Sequence, residues 1–151
     1  MVGSVRIMLA AVKKMLEASV TYKGVNSRIY MPGDTISSQL PRIELNLTTP
    51  VENYAALGAG RAPVWKIPNI RVDVYSKSPA ECDEVASYIE DAFGDNRNYN
   101  ASTVTIDGST VNTTGRFYML RANGGTQAVV MQEKQQWHRS LSYTGRWLQT
   151  S

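Results

Sequence analysis

A strand followed almost at once by a capped helix constrains the fold of this chain more than any other feature. Over residues 69–76, apolar residues alternate with polar or aromatic ones, which predicts a strand with one buried face. Ser78 then occupies an N-cap position, and Pro79 stands at the first helical position, where its missing N–H costs nothing. The sequence therefore predicts a strand that turns directly into a helix.

The predicted helix ends at Phe93, and its two faces differ in character. Glu81 follows Ser78 at the spacing of a capping box, and Gly94 is predicted to end the helix as a left-handed cap. The apolar face, predicted to be buried, consists of Cys82, Val85, Ala86, Ile89 and Phe93. The acidic face consists of Glu81, Asp83, Glu84, Glu90 and Asp91, with Asp95 just beyond it. A solvated surface explains these acids, and an acidic docking surface is the sharper alternative.

The rest of the chain supplies a second helix and several strands. Apolar residues recur at helical spacing from Val5 to Leu16 and predict a core-facing helix over Ser4–Ala18. Alternation predicts a strand over Pro41–Thr48. Further strands are predicted over residues 102–106, 116–121, 128–131 and 135–148, with a hairpin turn at Asp107–Gly108. This order predicts one α+β domain over residues 1–151, with a mixed, largely antiparallel sheet and two helices packed on one face.

Residues 49–68 are too numerous for an ordinary connection in a compact domain. The segment is rich in proline, glycine and alanine, but its large apolar side chains argue against a disordered linker. We predict a long extended arm, loop or hairpin that docks on another molecule. Because aromatic and arginine side chains dominate many interfaces, the predicted contact residues are Tyr54, Leu57, Arg61 and Trp65.

Composition excludes several classes of protein. The chain has 151 residues, one cysteine and a formal net charge of +3. One cysteine cannot form an intrachain disulfide, and the longest apolar run, residues 7–12, is too short to span a membrane. Lys13 and Lys14 follow that run and argue against a secretory signal. The basic residues are scattered, which argues against a dedicated nucleic-acid-binding role.

No motif in the sequence predicts catalysis, a metal site or a cofactor. His138 is the only histidine and lies in a strand pattern, so we expect a hydrogen-bonded or exposed surface residue. Cys82 lies near a helix N-terminus, but its place in the apolar stripe favours buried packing over nucleophilic chemistry. Gly58 and Gly60 lack the Lys-Ser/Thr pair of a phosphate-binding loop. A structural or binding protein is therefore favoured over an enzyme.

The order of these elements resembles that of the tail terminator, or tail completion, proteins of long-tailed bacteriophages. The resemblance covers roughly residues 4–149 and rests on pattern, because no single residue of these families is diagnostic. Its parts are the N-terminal helix, the Gly/Pro/Ala-rich arm, the segment IRVDVYSKSPAECDEVASYIEDAF and the aromatic end WHRSLSYTGRWLQ.

This resemblance implies a structural virion protein that forms a ring, usually a hexamer, at the head-proximal end of the tail tube. Such a ring ends tube polymerisation and binds the tail tube protein and a head-neck connector protein. DNA passes through its lumen without specific binding. The resemblance further implies assembly in the host cytoplasm, no membrane partner and no cofactor. The arm would reach a neighbouring subunit, and the acidic helix face would line the lumen or serve as a docking surface.

Three alternatives stay open at this point. The first is another virion component, either a head-completion or neck connector protein or a tail-tube subunit. Tube subunits are typically barrels or sandwiches with a single helix, so two well-marked helices favour the terminator. The second alternative is a small α+β enzyme, and the third is a monomeric binding module.

Overall fold

The computed structural model describes residues 4–54, 64–113, 115–123, 129–132 and 136–149. Its two helices are α1 (Ser4–Ser19) and α2 (Pro79–Asp95), and a short 3-10 segment spans Tyr22–Ser27. The strands, in chain order, are β1 (Ile29–Tyr30), β2 (Arg42–Tyr54), β3 (Val64–Ser76), β4 (Thr103–Ile106), β5 (Ser109–Asn112), β6 (Gly115–Ala122), β7 (Val130–Gln132) and β8 (Gln136–Gln149).

Six of these strands form one sheet in the order β1-β2-β3-β8-β6, with β7 paired to the start of β8. β1 runs parallel to β2, and the other pairings in this sheet are antiparallel. β4 and β5 form a separate two-stranded hairpin. The predicted α+β class, with its mixed, largely antiparallel sheet and two helices, is confirmed.

One face of the large sheet is apolar because the central strands alternate in character. Val72 pairs with Leu141 and Ile70 with Tyr143, and directly paired residues in antiparallel strands share a face. All four side chains are buried, at 3% exposure or less. Phe93 of α2 lies over this face, with its ring stacked on Tyr143 at 3.7 Å between centroids. Both helices cover this side, which contains the core.

Helix α1 is buried over most of its circumference. Met8, Val12 and Leu16 are fully buried, whereas Val5, which the spacing places in the buried stripe, is 41% exposed. The helix continues to Ser19, one residue past the predicted end. Its polar side binds the small hairpin, since Lys14 Nζ donates to the Thr103 carbonyl at 2.8 Å.

The predicted turn at Asp107–Gly108 joins β4 to β5. Both residues have positive φ, 51° and 78°, as a type I′ turn requires. The Arg6 guanidinium donates to both carboxylate oxygens of Asp107, at 2.9 and 3.0 Å. These hydrogen bonds lower the pKa of the Asp107 carboxyl, so the link is charged at neutral pH and is lost as pH falls through that pKa.

The N-terminus of α2 is capped as predicted. Ser78 Oγ accepts from the Glu81 N–H at 3.2 Å. In a capping box the Glu81 carboxylate would accept from the N–H of Ser78. Here it accepts from the N–H of the preceding residue, Lys77, at 3.3 Å.

The prediction that Gly94 ends α2 as a left-handed cap is wrong. The helix continues through Gly94 to Asp95, and Asn96 is the C-cap residue. The backbone N–H and the side-chain Nδ2 of Asn96 both donate to the Ala92 carbonyl, at 3.1 and 2.7 Å. Because Asn96 satisfies that terminal carbonyl, the helix end needs no left-handed glycine.

Replacing Gly94 with Ala tests this correction. A Cβ at this exposed helical position would meet no heavy atom within 4 Å, so we expect stabilisation of about 0.5–1 kcal/mol, measured by urea denaturation. Gly115→Ala is the control, because its Cβ would lie 2.5 Å from Trp147 Cε2, and should cost about 1–3 kcal/mol. Destabilisation by Gly94→Ala would instead indicate a left-handed residue.

Candidate functional site: subunit-contact surfaces

The segment predicted as an arm, residues 49–68, consists in large part of paired strands. β2 continues to Tyr54 and β3 begins at Val64, so both strands are longer than the sequence predicts. Their ladder extends to the pair Tyr54↔Val64. Pro50 and Pro68 indicate strand ends in the sequence, but an irregularity in register after Thr48 lets the ladder continue past both.

The four predicted contact residues of this hairpin have different positions. Tyr54 is the last paired residue of β2, and Trp65 pairs through its backbone with both Asn53 and Leu148. The backbone of Trp65 therefore belongs to the main sheet. Leu57 and Arg61 lie outside the described residues. The role of all four as subunit contacts stays a prediction.

The two edges of the large sheet differ. Along β6, the edge is occupied by the turn after α2: the N–H groups of Phe117 and Leu120 donate to the carbonyls of Tyr99 and Arg97, each at 2.9 Å. At the other edge, β1 pairs with β2 only at Ile43 and Glu44. Among the described strands, none pairs with the rest of that β2 edge. Such an edge can pair with another chain, although Pro50 limits the pairing to short stretches.

The face of the large sheet opposite the helices, called the open face below, is mainly polar. The register brings a group of ionisable and hydroxyl side chains to it from four strands. They are Arg42, Glu44, Arg71, Asp73, Tyr75, Arg116, Tyr118, Arg121, His138, Ser140, Ser142, Thr144 and Arg146.

Three of these side chains stack across neighbouring strands. Arg42, Tyr75 and His138 are paired directly in register across β2, β3 and β8. The Arg42 Cζ lies 4.5 Å from the centre of the Tyr75 ring. The His138 ring also stacks on Tyr75, with 4.6 Å between the ring centres and 10° between the ring planes. Cation–π attraction and ring stacking order this part of the face.

Asp73 joins the same network to the next row. Its side chain is 5% exposed, and its Oδ1 lies 2.8 Å from His138 Nε2 and accepts from Arg71 Nε at 3.1 Å. Arg71 Nε also contacts Ser140 Oγ at 3.2 Å. His138 is thus a hydrogen-bonded surface histidine, as predicted, and its contacts connect β3 with β8.

The far end of the open face is cationic. Arg121 and Arg146 are exposed, and no carboxylate in the described part of the chain lies within 4.0 Å of either. Arg116 lies over the Tyr118 ring at 4.5 Å, and its Nε is buried without a hydrogen-bond partner among the described residues. This end of the face can therefore accept carboxylates from another molecule.

Glu81 does not belong to the exposed acidic face on which the sequence places it. It is 8% exposed, and its Oε2 lies 2.9 Å from Lys23 Nζ. The reason is nonlocal, because Lys23 comes from the 3-10 segment that packs beside the start of α2. Asp83 is also paired, at 2.7 Å from Arg139.

The other predicted acids of α2 are exposed. Glu84, Glu90 and Asp91 project from the helix surface, and Asp95 continues the same side. Within the described ranges, no cation lies within 4.0 Å of these four carboxylates. The acidic surface is therefore smaller than predicted at its N-terminal end and carries unpaired negative charge along the rest of the helix.

A shallow groove of about 800 Å³ lies between α1 and the β4–β5 hairpin. Lys13, Lys14 and Glu17 line it from the helix, and Asp34 faces them, with its Oδ2 3.6 Å from Lys13 Nζ. None of the residues that the sequence predicts as functional lines this groove. Within the described ranges, no helix is long and apolar enough to cross a membrane, and no cluster of three potential metal ligands is found.

Cys82 has the buried position that its sequence pattern predicts. It is 0% exposed, its Sγ lies 2.9 Å from Ser76 Oγ, and it approaches the Trp137 carbonyl at 3.3 Å. Burial raises the pKa of the Cys82 thiol, which disfavours the nucleophilic thiolate.

The cationic end of the open face is the feature that sequence reasoning misses. Alternation in the final strand puts Ser142 and Arg146 on one side, and that signal is available in the sequence. The juxtaposition of Arg146 with Tyr118, and of Arg121 with Thr144, depends on the pairing of β6 with β8. Register between strands that are not neighbours in a hairpin cannot be read from periodicity alone.

No family model matches the sequence, and no curated protein matches it. Among solved structures, the fold is similar to that of a chain in the virion of a native gene transfer agent (GTA) particle. The TM-score is 0.60 at 16% sequence identity, and the match covers 93% of this chain and 94% of the other. At this identity the likeness shows a shared fold over nearly the whole of both chains.

The burial of Cys82 gives a chemical prediction. Native protein at neutral pH should react slowly with an alkylating reagent, because the thiol is inaccessible and largely protonated. Mass spectrometry of samples quenched over time measures the rate, with urea-unfolded protein as the control. Equal alkylation rates for native and unfolded protein would contradict burial and would make Cys82 a candidate nucleophile.

Proposed function

We propose that this chain is a structural virion protein that caps the head-proximal end of a phage tail tube as a ring. The ring ends tube polymerisation and joins the tail to head-neck proteins. The observation that carries this proposal is the similarity in fold, over 93% of the chain, to a chain of a virion. The order of helices and strands, which resembles that of tail terminator proteins, supports the more specific role.

In this proposal the β2–β3 hairpin makes the main contact between neighbouring subunits. A ring needs head-to-tail contacts, in which different surfaces of neighbouring copies meet and close. The hairpin strands extend beyond the last residue paired with β1, which leaves that part of β2 available to a neighbour. Tyr54, Leu57, Arg61 and Trp65 are the proposed anchors, because aromatic and arginine side chains contribute much of the energy at many interfaces.

The two ends of the ring contact different partners in this proposal. One end binds the tail tube protein, and the other binds a head-neck connector protein. DNA passes through the lumen without specific binding, and exposed carboxylates such as Glu84, Glu90 and Asp91 suit a lumen wall because they repel phosphate. The same acids suit a docking surface equally well, and the two placements exclude each other for a given residue.

Electron microscopy of negatively stained protein tests the proposal against its alternatives. The full chain is imaged alone and after mixing with purified tail tubes. Short closed rings, bound at one end of each tube, are expected. Long tubes formed by the chain itself would identify a tail-tube subunit, and binding to isolated heads but not to tubes would identify a neck connector.

Replacing residues 55–63, which connect β2 to β3 in the sequence, gives a more specific prediction. An Asn-Gly turn in place of residues 55–63 keeps the Tyr54↔Val64 pair but removes Leu57 and Arg61. We expect loss of rings with nearly unchanged far-UV circular dichroism, because the ladder and both helices are untouched. The mass of the particle is measured by sedimentation velocity.

A second variant controls for the length of this connection. It carries a Gly/Ser segment of the original length, so it lacks the side chains of residues 55–63 but not their number. If this variant forms rings and the shortened one does not, length matters more than Leu57 and Arg61. If the shortened protein still closes into rings, Leu57 and Arg61 are not subunit contacts.

A further inference from the structure

We propose that the open face of the sheet is the docking surface for helix α2 of a second copy of this chain, through its arginines and the exposed acids of that helix. This inference rests on the self-assembly in the proposed function and adds a second subunit contact to the hairpin. It also assigns the acidic side of α2 to a docking surface rather than to the lumen.

The open face has a surplus of positive charge. Its arginines are Arg42, Arg71, Arg116, Arg121 and Arg146, and its carboxylates are Glu44 and Asp73. The two carboxylates are paired within the face, with Arg42 and Arg71 at 3.1 Å in each case. The surplus is therefore concentrated at Arg116, Arg121 and Arg146, where β6 and β8 lie side by side.

Helix α2 presents the opposite charge on the other side of the molecule. Glu84, Asp91 and Asp95 follow one another at helical spacing along its exposed surface. Glu90 is also exposed and lies about 100° round the helix from Asp91. Tyr88, 39% exposed, stands between Glu84 and Asp91 in the same row. Since α2 packs on the apolar face of its own sheet, its acids and the arginines of the open face point in opposite directions.

Opposite charges on opposite sides favour head-to-tail association, in which two different surfaces of neighbouring copies meet. Within one molecule the arginines and the acids cannot pair, because they lie on opposite sides. Between molecules, the arginines of one copy can pair with the acids of the next. The contact would sandwich the sheet between its own helices and the helix of a neighbour. A contact of this kind repeats from copy to copy and closes into a ring when the rotation between copies allows.

The two charged rows match in length. Glu84 to Asp95 spans about 16 Å along a helix axis. Arg116 to Arg121 spans about 13 Å, because the irregularity in β6 places these residues opposite Leu148 and Thr144 of β8. Arg146 lies on the adjacent strand, about 5 Å away. Tyr118 lies between these arginines as Tyr88 lies between the acids, so the apolar part of each surface can also meet its counterpart.

The residue types favour a carboxylate partner over the DNA that shares a virion. The residues placed on the open face by the register include arginine but no lysine, and the planar guanidinium pairs with carboxylates through two parallel hydrogen bonds. Phosphate suits arginine as well, so binding to DNA is one of the outcomes that the test below distinguishes. The chain also has a net charge of only +3, far from the strongly basic character of typical nucleic-acid-binding domains.

Charge reversal on each surface, followed by a swap, tests the inference. One variant carries Arg121→Glu and Arg146→Glu, and the other carries Glu84→Lys and Asp91→Lys. Each alone should weaken self-association at low ionic strength by about tenfold or more, because like charges then face each other. Mixing the two variants, or combining all four substitutions in one chain, should restore association. Sedimentation velocity at low and high ionic strength measures each case, and circular dichroism checks folding.

Two exposed charges elsewhere serve as controls for the sign of the charge change. Lys77→Glu and Glu17→Lys change the net charge in the same directions but lie outside both surfaces, and they should leave association unchanged. The inference fails if the four reversals behave like these controls, if the swap restores nothing, or if the wild-type chain stays monomeric at low ionic strength and high concentration. It also fails if Arg121→Glu and Arg146→Glu weaken binding to a labelled DNA duplex while association stays unchanged.

The same experiments distinguish a failure of this inference from a failure of the proposed function. Closed rings on tail tubes that do not depend on these charges would overturn the inference and leave the terminator role standing. Association that depends on the charges but produces no ring on tubes would support the inference and count against that role.

Discussion

The fold depends on burial of one face, and only one face, of the central strands β3 and β8. Ile70, Val72 and Leu141 lie under the helices, and each such side chain contributes about 1.5–3 kcal/mol of hydrophobic stabilisation. Strand geometry then dictates the rest, because the residues between them must point to the opposite face. The alternation that builds the core therefore also creates a polar face that no described helix covers.

That polar face is ordered by contacts between strands rather than by hydration alone. The Arg42–Tyr75–His138 row and the Asp73 network fix its first half, whereas Arg121 and Arg146 leave positive charge unpaired in the second half. Helix α2 carries unpaired negative charge on the far side of the molecule. The nearly neutral composition thus conceals a separation of charge, which gives the chain two different surfaces and favours association in one direction.

Sequence reasoning succeeds where the structure is determined by neighbouring residues. The Ser78 cap, the Asp107–Gly108 turn and the alternation of β3 are all local, and the structure confirms them. It fails where a distant residue decides the outcome. Glu81 is buried because Lys23 lies beside it, and β2 extends past Pro50 because β3 continues to pair with it. The cationic end of the open face depends on the register of β6 against β8, which no local pattern encodes.

The mass of the native particle in solution tests most directly whether this chain works by fitting against copies of itself. Native mass spectrometry over a range of protein concentrations, with and without purified tail tubes, provides that mass. We expect one closed multimer of fixed size, formed by the chain alone or on contact with a tube. A chain that stays monomeric at every concentration, with and without tubes, would contradict the claim that it acts through contacts with its own copies.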